Sequence, residues 1–161
     1  MSRRKSTNKR RNPEVGMTLL ELIIACSILI ILASAALPIA RYSIIHAKEN
    51  ELRRDLREMR DAIDRYKDAA DANQIRVEVG SEGYPPDLET LVKGVQLGAS
   101  SEKKIRFLRK IPVDPITGQT EWGLRAVQDD PDSRSWGGKN VFDVYSKSQA
   151  TAIDGTKYSD W

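Results

Sequence analysis

Gly16-Met17-Thr18-Leu19-Leu20-Glu21, followed by LIIACSILIILASAALPIA over residues 22–40, decides the architecture of this chain. Leu22 to Ala40 holds nineteen residues without a charge. At about 1.5 Å rise per residue, a helix of that length matches a hydrocarbon layer of about 30 Å, so the sequence predicts a membrane span. A buried core helix is one alternative. A chain of 161 residues is enough for one ordinary domain, which could hardly surround so uniformly apolar a segment. A removable secretory signal is another, kept open by Ala33, Ala35 and Ala36. Against it, the run exceeds the usual length of about 7–15 residues, and no small-x-small site precedes an obvious mature start.

The charge distribution supports a leader ahead of that span. Arg3, Arg4, Lys5, Lys9, Arg10 and Arg11 fall in the first sixteen positions against a single acid, Glu14. Without that segment the chain has 20 basic and 22 acidic residues, a net of −2 where the whole has +3. The basic character therefore belongs to the leader, and the body lacks the footprint of a nucleic-acid binder. A basic cluster before an apolar span stays cytoplasmic, which sends the C-terminal part across the membrane. The lone Cys26 excludes an intrachain disulfide, so a head outside the cytoplasm must be held by its core or by a metal. With one histidine, His46, the chain also excludes most zinc sites and the usual Ser/His/Asp or Cys/His triads. No general base with an orienting partner and no Gly-rich phosphate loop is present, so no enzyme is expected.

Beyond Ala40 the sequence is charged but keeps a helical period. Ile45, Leu52, Leu56, Met59, Ile63, Tyr66 and Ala70 form one apolar stripe, with pairs such as Glu49/Arg53 read as a solvated face. A single helix is expected from about Met17 to about Ala72, its stripe packing onto the following domain rather than forming a coiled-coil seam. The head should hold a short helix at Leu88 to Val92, an irregular stretch from Gly94 to Ser101 and a solvated helical turn at Lys103 to Lys110. Strands are expected at Glu121 to Val127 and Asn140 to Ser146. The expected fold class is α+β, a long N-terminal helix packed on a small antiparallel sheet. The chain divides into a leader (1–16), a transmembrane and assembly half (17–40), an amphipathic half (41–72) and an αβ head (73–161).

Glu21 is the chemically informative residue of the span. A carboxylate at membrane depth costs on the order of 3 kcal/mol, so it calls for a cationic partner. Cleavage between Gly16 and Met17 would create an amine at the same depth on the next subunit, and the resulting pair in low dielectric would reward docking in register. The alternative is that Glu21 snorkels to the lipid surface. Pro38 lacks an N–H and is expected to bend or open the helix.

These residues resemble the type IV pilins and the pseudopilins of type II secretion systems, whose basic leader ends in Gly before a Met or Phe and a Thr-Leu-Leu-Glu-like run. The resemblance covers GMTLLELIIACSILIILASAALP in full, with Pro38 in the family's proline position. Ile111-Pro112-Val113-Asp114-Pro115, Trp122, Asn140-Val141-Phe142-Asp143-Val144-Tyr145-Ser146 and Asp160-Trp161 are similar to the major pseudopilin of that group. The resemblance implies that a prepilin peptidase cuts after Gly16 and methylates the Met17 amine, and that Glu21 and Pro38 serve in assembly. Implied partners are further copies in a helical homopolymer, other pseudopilins, an inner-membrane platform with its cytoplasmic ATPase, and the lipid bilayer. The implied location is a single-pass inner-membrane protein with a periplasmic head, and then a periplasmic filament that drives export across the outer membrane. A type IV pilin for adhesion, motility or DNA uptake, or a membrane-anchored stalk module, are the competing expectations. The family's C-terminal loop binds calcium, which here places Asp154 and Asp160, with Ser146 or Ser148 and main-chain oxygens, as candidate ligands. This loop is shorter, holds fewer acids and carries Lys147 and Lys157.

Overall fold

Thr18 starts the long helix: its hydroxyl accepts the Glu21 N–H at 3.2 Å, and its carbonyl accepts the first helical N–H, from Leu22. The computed structural model describes residues 16–98 and 103–161, with the backbone alone for 35–40. Helix α1 runs Leu19–Asp71, close to the range the apolar period predicts. No glycine interrupts it, and Pro38 is its one proline. Its end is built on Asn73, which adopts φ 54°. The Asn73 N–H donates to Ala70 O and the Gln74 N–H to Ala69 O, the paired bonds of a Schellman cap.

The chain divides into two units, residues 1–41 and 42–161. In the first, every described side chain from Met17 to Ser34 is exposed. Among the described residues no helix is long and apolar enough to cross a membrane. The span expected from the sequence reaches Ala40, and the side chains of 35–40, Pro38 included, lie outside the described residues. The leader expectation for residues 1–15 lies outside them too.

The second unit is α+β. Leu52, Leu56, Met59, Ile63, Tyr66 and Ala70, six of the seven stripe residues, are buried, while Ile45 is exposed. They pack with Leu88, Leu91, Phe107, Leu108, Trp122, Val141 and Val144 in one core. Tyr66 meets Phe107 edge-on at 5.4 Å between ring centres. Asp87 caps helix α2, Leu88–Lys93, by accepting the Thr90 N–H at 2.6 Å, and Leu88 and Leu91 face inward. Gly94 ends it at φ 79°, and a Cβ there would lie 2.6 Å from Ile105 O, so this position must be glycine.

Two small antiparallel sheets replace the single sheet expected. Strand β1, Val95–Gln96, pairs with β2, Lys104–Ile105, in the register Val95 to Ile105. Strand β3, Gly123–Arg125, pairs with β4, Asp143–Tyr145, in the register Leu124 to Val144. The expected helical turn at Lys103 to Lys110 is therefore β2 followed by bends, and each of the two longer strand runs contracts to three paired residues. The reason lies in the flanks. The Val127 N–H donates to the Asn140 side-chain oxygen, and the Val141 N–H donates to Pro85 O. Backbone that could extend a ladder is thus committed to loops.

The turn at Pro112 to Gly118 is organised by Asp114, which is fully buried. One carboxylate oxygen accepts the Ile116 N–H at 2.8 Å, and the other accepts the Ser146 hydroxyl at 2.6 Å. This acid fastens the Pro-rich turn to the residue that follows β4.

Candidate functional site

The N-terminal site consists of Gly16, Met17 and Glu21 on the entry to α1. Gly16 is exposed, and a Cβ at that position would meet nothing within 4 Å. Residues 16–18 precede the helix, so the Gly16–Met17 peptide bond lies in open, non-helical chain. Glu21 occupies the first turn three residues after the Thr18 cap, the spacing of a capping box. An acid there also suits the positive end of the helix dipole. Sequence reading missed this cap, although Thr18-x-x-Glu21 carries its signal.

Downstream, the exposed apolar side chains run from Leu22 at 49% to Leu19 at 76% exposure and include Ile23, Ile24, Ile28, Leu29, Ile30, Ile31 and Leu32. At 100° per residue they surround the helix on all sides, and Glu21 is the one charged side chain from Met17 to Ser34. The two serines in this stretch turn back on the helix. Ser27 Oγ donates to Ile23 O at 2.7 Å and Ser34 Oγ to Ile31 O at 2.8 Å. Each hydroxyl proton is thus satisfied within the helix. Cys26 is exposed with a free thiol.

The second site is the segment from Ile153 to Trp161, where calcium ligands were expected. Asp154 Oδ1 accepts the Thr156 N–H at 3.0 Å and the Thr156 hydroxyl at 2.6 Å, while its Oδ2 accepts Arg53 Nη2 at 3.1 Å. Hydrogen bonds from Thr156, with the Arg53 charge behind them, hold the Asp154 carboxyl below the usual carboxylate range. Asp160 accepts the Ser159 hydroxyl at 3.2 Å and faces Arg134 at 3.6 Å. The Ser146 hydroxyl is spent on Asp114, and Ser148 Oγ accepts the Ala150 N–H. Calcium needs about six to eight converging oxygens. The four candidate side chains instead take separate protein partners, and among the described residues no group of three His, Cys, Asp or Glu could hold a metal. Each of these side chains is thus engaged by the protein itself.

Glu49 and Arg53, which the sequence assigns to a solvated face, hold this segment to α1 together with Arg60. Glu49 is buried and accepts the Ile153 N–H at 2.8 Å and the Tyr158 hydroxyl at 3.0 Å. The Glu49/Arg53 pairing does not form: Arg53 reaches Asp154 and lies over the Trp161 ring, 3.8 Å from its centre. Arg60 donates to Asp143 at 2.7 Å, to Val144 O at 3.1 Å and to Trp161 O at 2.7 Å. Their spacing of four and seven residues puts all three on one strip of the helix, beside the apolar stripe. That spacing was visible; the partners, about a hundred residues away in the chain, were not.

No family model, curated protein or solved structure matches the chain.

Proposed function

We propose that this chain is a structural subunit of a membrane-derived filament, processed after Gly16 and assembled through the N-terminal part of α1. The exposed apolar surface from Leu19 to Leu32, with Glu21 as its one charge, carries this reading. So large an apolar surface needs a lipid or protein environment. In the membrane, lipid covers it and the back-bonded serines need no water. In the filament, copies of the same helix cover it, and the Met17 amine of one copy meets Glu21 of the next.

Within this class the motifs favour the major pseudopilin of a type II secretion system. Its role is mechanical. Subunits drawn from the inner membrane by a platform protein and a cytoplasmic ATPase extend a periplasmic filament that pushes folded proteins through an outer-membrane pore. Asp114 supports the assignment on physical grounds, since the Ile-Pro-x-Asp-Pro turn is fixed by that buried carboxylate rather than being a variable loop.

The Thr18–Glu21 cap favours a second reading, a membrane-anchored stalk module, because capping alone gives Glu21 a role. Expression of the chain with a pilin-type assembly system separates the two. Glu21→Gln keeps the side chain's shape and removes its charge. The filament reading predicts normal leader removal and loss of sheared, pelletable polymer in this variant. No polymer from the unaltered chain supports the stalk, whereas a polymer yield unchanged by Glu21→Gln would keep the filament and remove the Glu21–amine pair from it.

A further inference from the structure

The Asp154 carboxylate has a protein cation for a partner, Arg53 of α1. Its guanidinium touches the Asp154 carboxylate at 3.1 Å and the face of Trp161 at 3.8 Å. Those two groups are linked by Thr156, whose hydroxyl donates to Asp154 Oδ1 at 2.6 Å and accepts the Trp161 indole N–H at 2.7 Å. Arg53, Asp154, Thr156 and Trp161 therefore form a closed circuit with one cation at its base. A planar, weakly hydrated guanidinium can pair and stack at once; a hydrated metal ion cannot. Glu49 and Arg60, on the same strip of α1, fasten the segment on either side through Ile153, Tyr158 and Trp161.

We propose that Arg53 is the resident cation of the Ile153–Trp161 segment, closing it onto α1 in the role calcium plays in the resembled family, so that the head folds without a metal. An exposed ion pair by itself contributes little, and Arg53 and Asp154 are 47% and 49% exposed. The closure comes from the circuit as a whole, with the indole stacked on the cation. Filament formation is not needed for this, so a chain that proves uncleaved and monomeric still tests it.

The test is thermal unfolding of the full chain in detergent micelles, in a chelator and in millimolar calcium chloride, followed by tryptophan fluorescence. The midpoint of the unaltered chain is expected to be the same in both. Arg53→Gln and Asp154→Asn should each lower it by about 2–5 °C, with the double variant no lower than the worse single one, because both remove the same circuit. Arg53→Lys keeps the charge without the stacking plane and should recover only part. A calcium-dependent rise in the unaltered chain that the chelator reverses would overturn the proposal, as would an Arg53→Gln midpoint equal to that of the unaltered chain. If Arg53→Gln does not accumulate, the calcium comparison on the unaltered chain decides alone.

Discussion

Tyr158 donates its phenolic hydrogen to Glu49 Oε1 at 3.0 Å, in a buried contact between residues 109 positions apart. The same oxygen accepts the Ile153 N–H at 2.8 Å, so one carboxylate on α1 serves two donors of the closing segment. Burial, followed by the hydrogen bond to Glu49, pushes the Tyr158 hydroxyl up to about 12 from its ordinary 10.0.

A tyrosine whose folded pKa is raised favours folding while it is protonated. Its contribution is complete below the unfolded value of 10.0 and is lost as pH rises through about 12. Urea midpoints measured across that alkaline range should fall for the unaltered chain and fall less steeply for Tyr158→Phe. Parallel slopes would remove Tyr158 from the account. Glu49→Ala, which strands both donors, should cost about 2–3 kcal/mol at neutral pH, and Tyr158→Phe about 1 kcal/mol.

Asp114 makes a second prediction. Its carboxylate accepts the Ile116 and Thr117 N–H groups and the Ser146 hydroxyl while fully buried. Asp114→Ala leaves those donors without a partner and should destabilise the head by about 2–4 kcal/mol in denaturant unfolding. Ser146→Ala removes one donor and should cost about 1 kcal/mol, with the double variant less than additive.

Gly123 lies against the ring of Tyr145 across the β3–β4 pair. A Cβ at that position would come within 2.3 Å of the ring carbons, so Gly123→Ala should destabilise by about 1–3 kcal/mol. The same substitution in a Tyr145→Ala background should cost far less, which equilibrium unfolding of the four variants measures directly.

The apolar period foretold α1 and its buried strip, because six of the seven stripe residues meet one continuous core. Ile45 follows the period but lies ahead of the residues that pack on the head, so period alone could not place it. Glu49 and Arg53 carry the complementary lesson. Their spacing of four fits a solvated ion pair, but a local pair is weak, and distant donors and acceptors outcompeted it. The strands fell short of their sequence runs for a similar reason, since the Asn140 side chain and Pro85 O take the flanking Val127 and Val141 N–H groups. Gly16, Met17 and Glu21 were legible as a local pattern. Structure adds an open chain at the Gly16–Met17 bond and the Thr18 cap.

The central claim is that the chain is cut between Gly16 and Met17 to free the amine that Glu21 receives. Intact and peptide mass spectrometry of the membrane-purified protein tests it most directly. The account predicts a mature chain that begins at N-methylated Met17. An N-terminus still at Met1, or one created near Ala35, would contradict it, because no amine would then exist at the depth of Glu21.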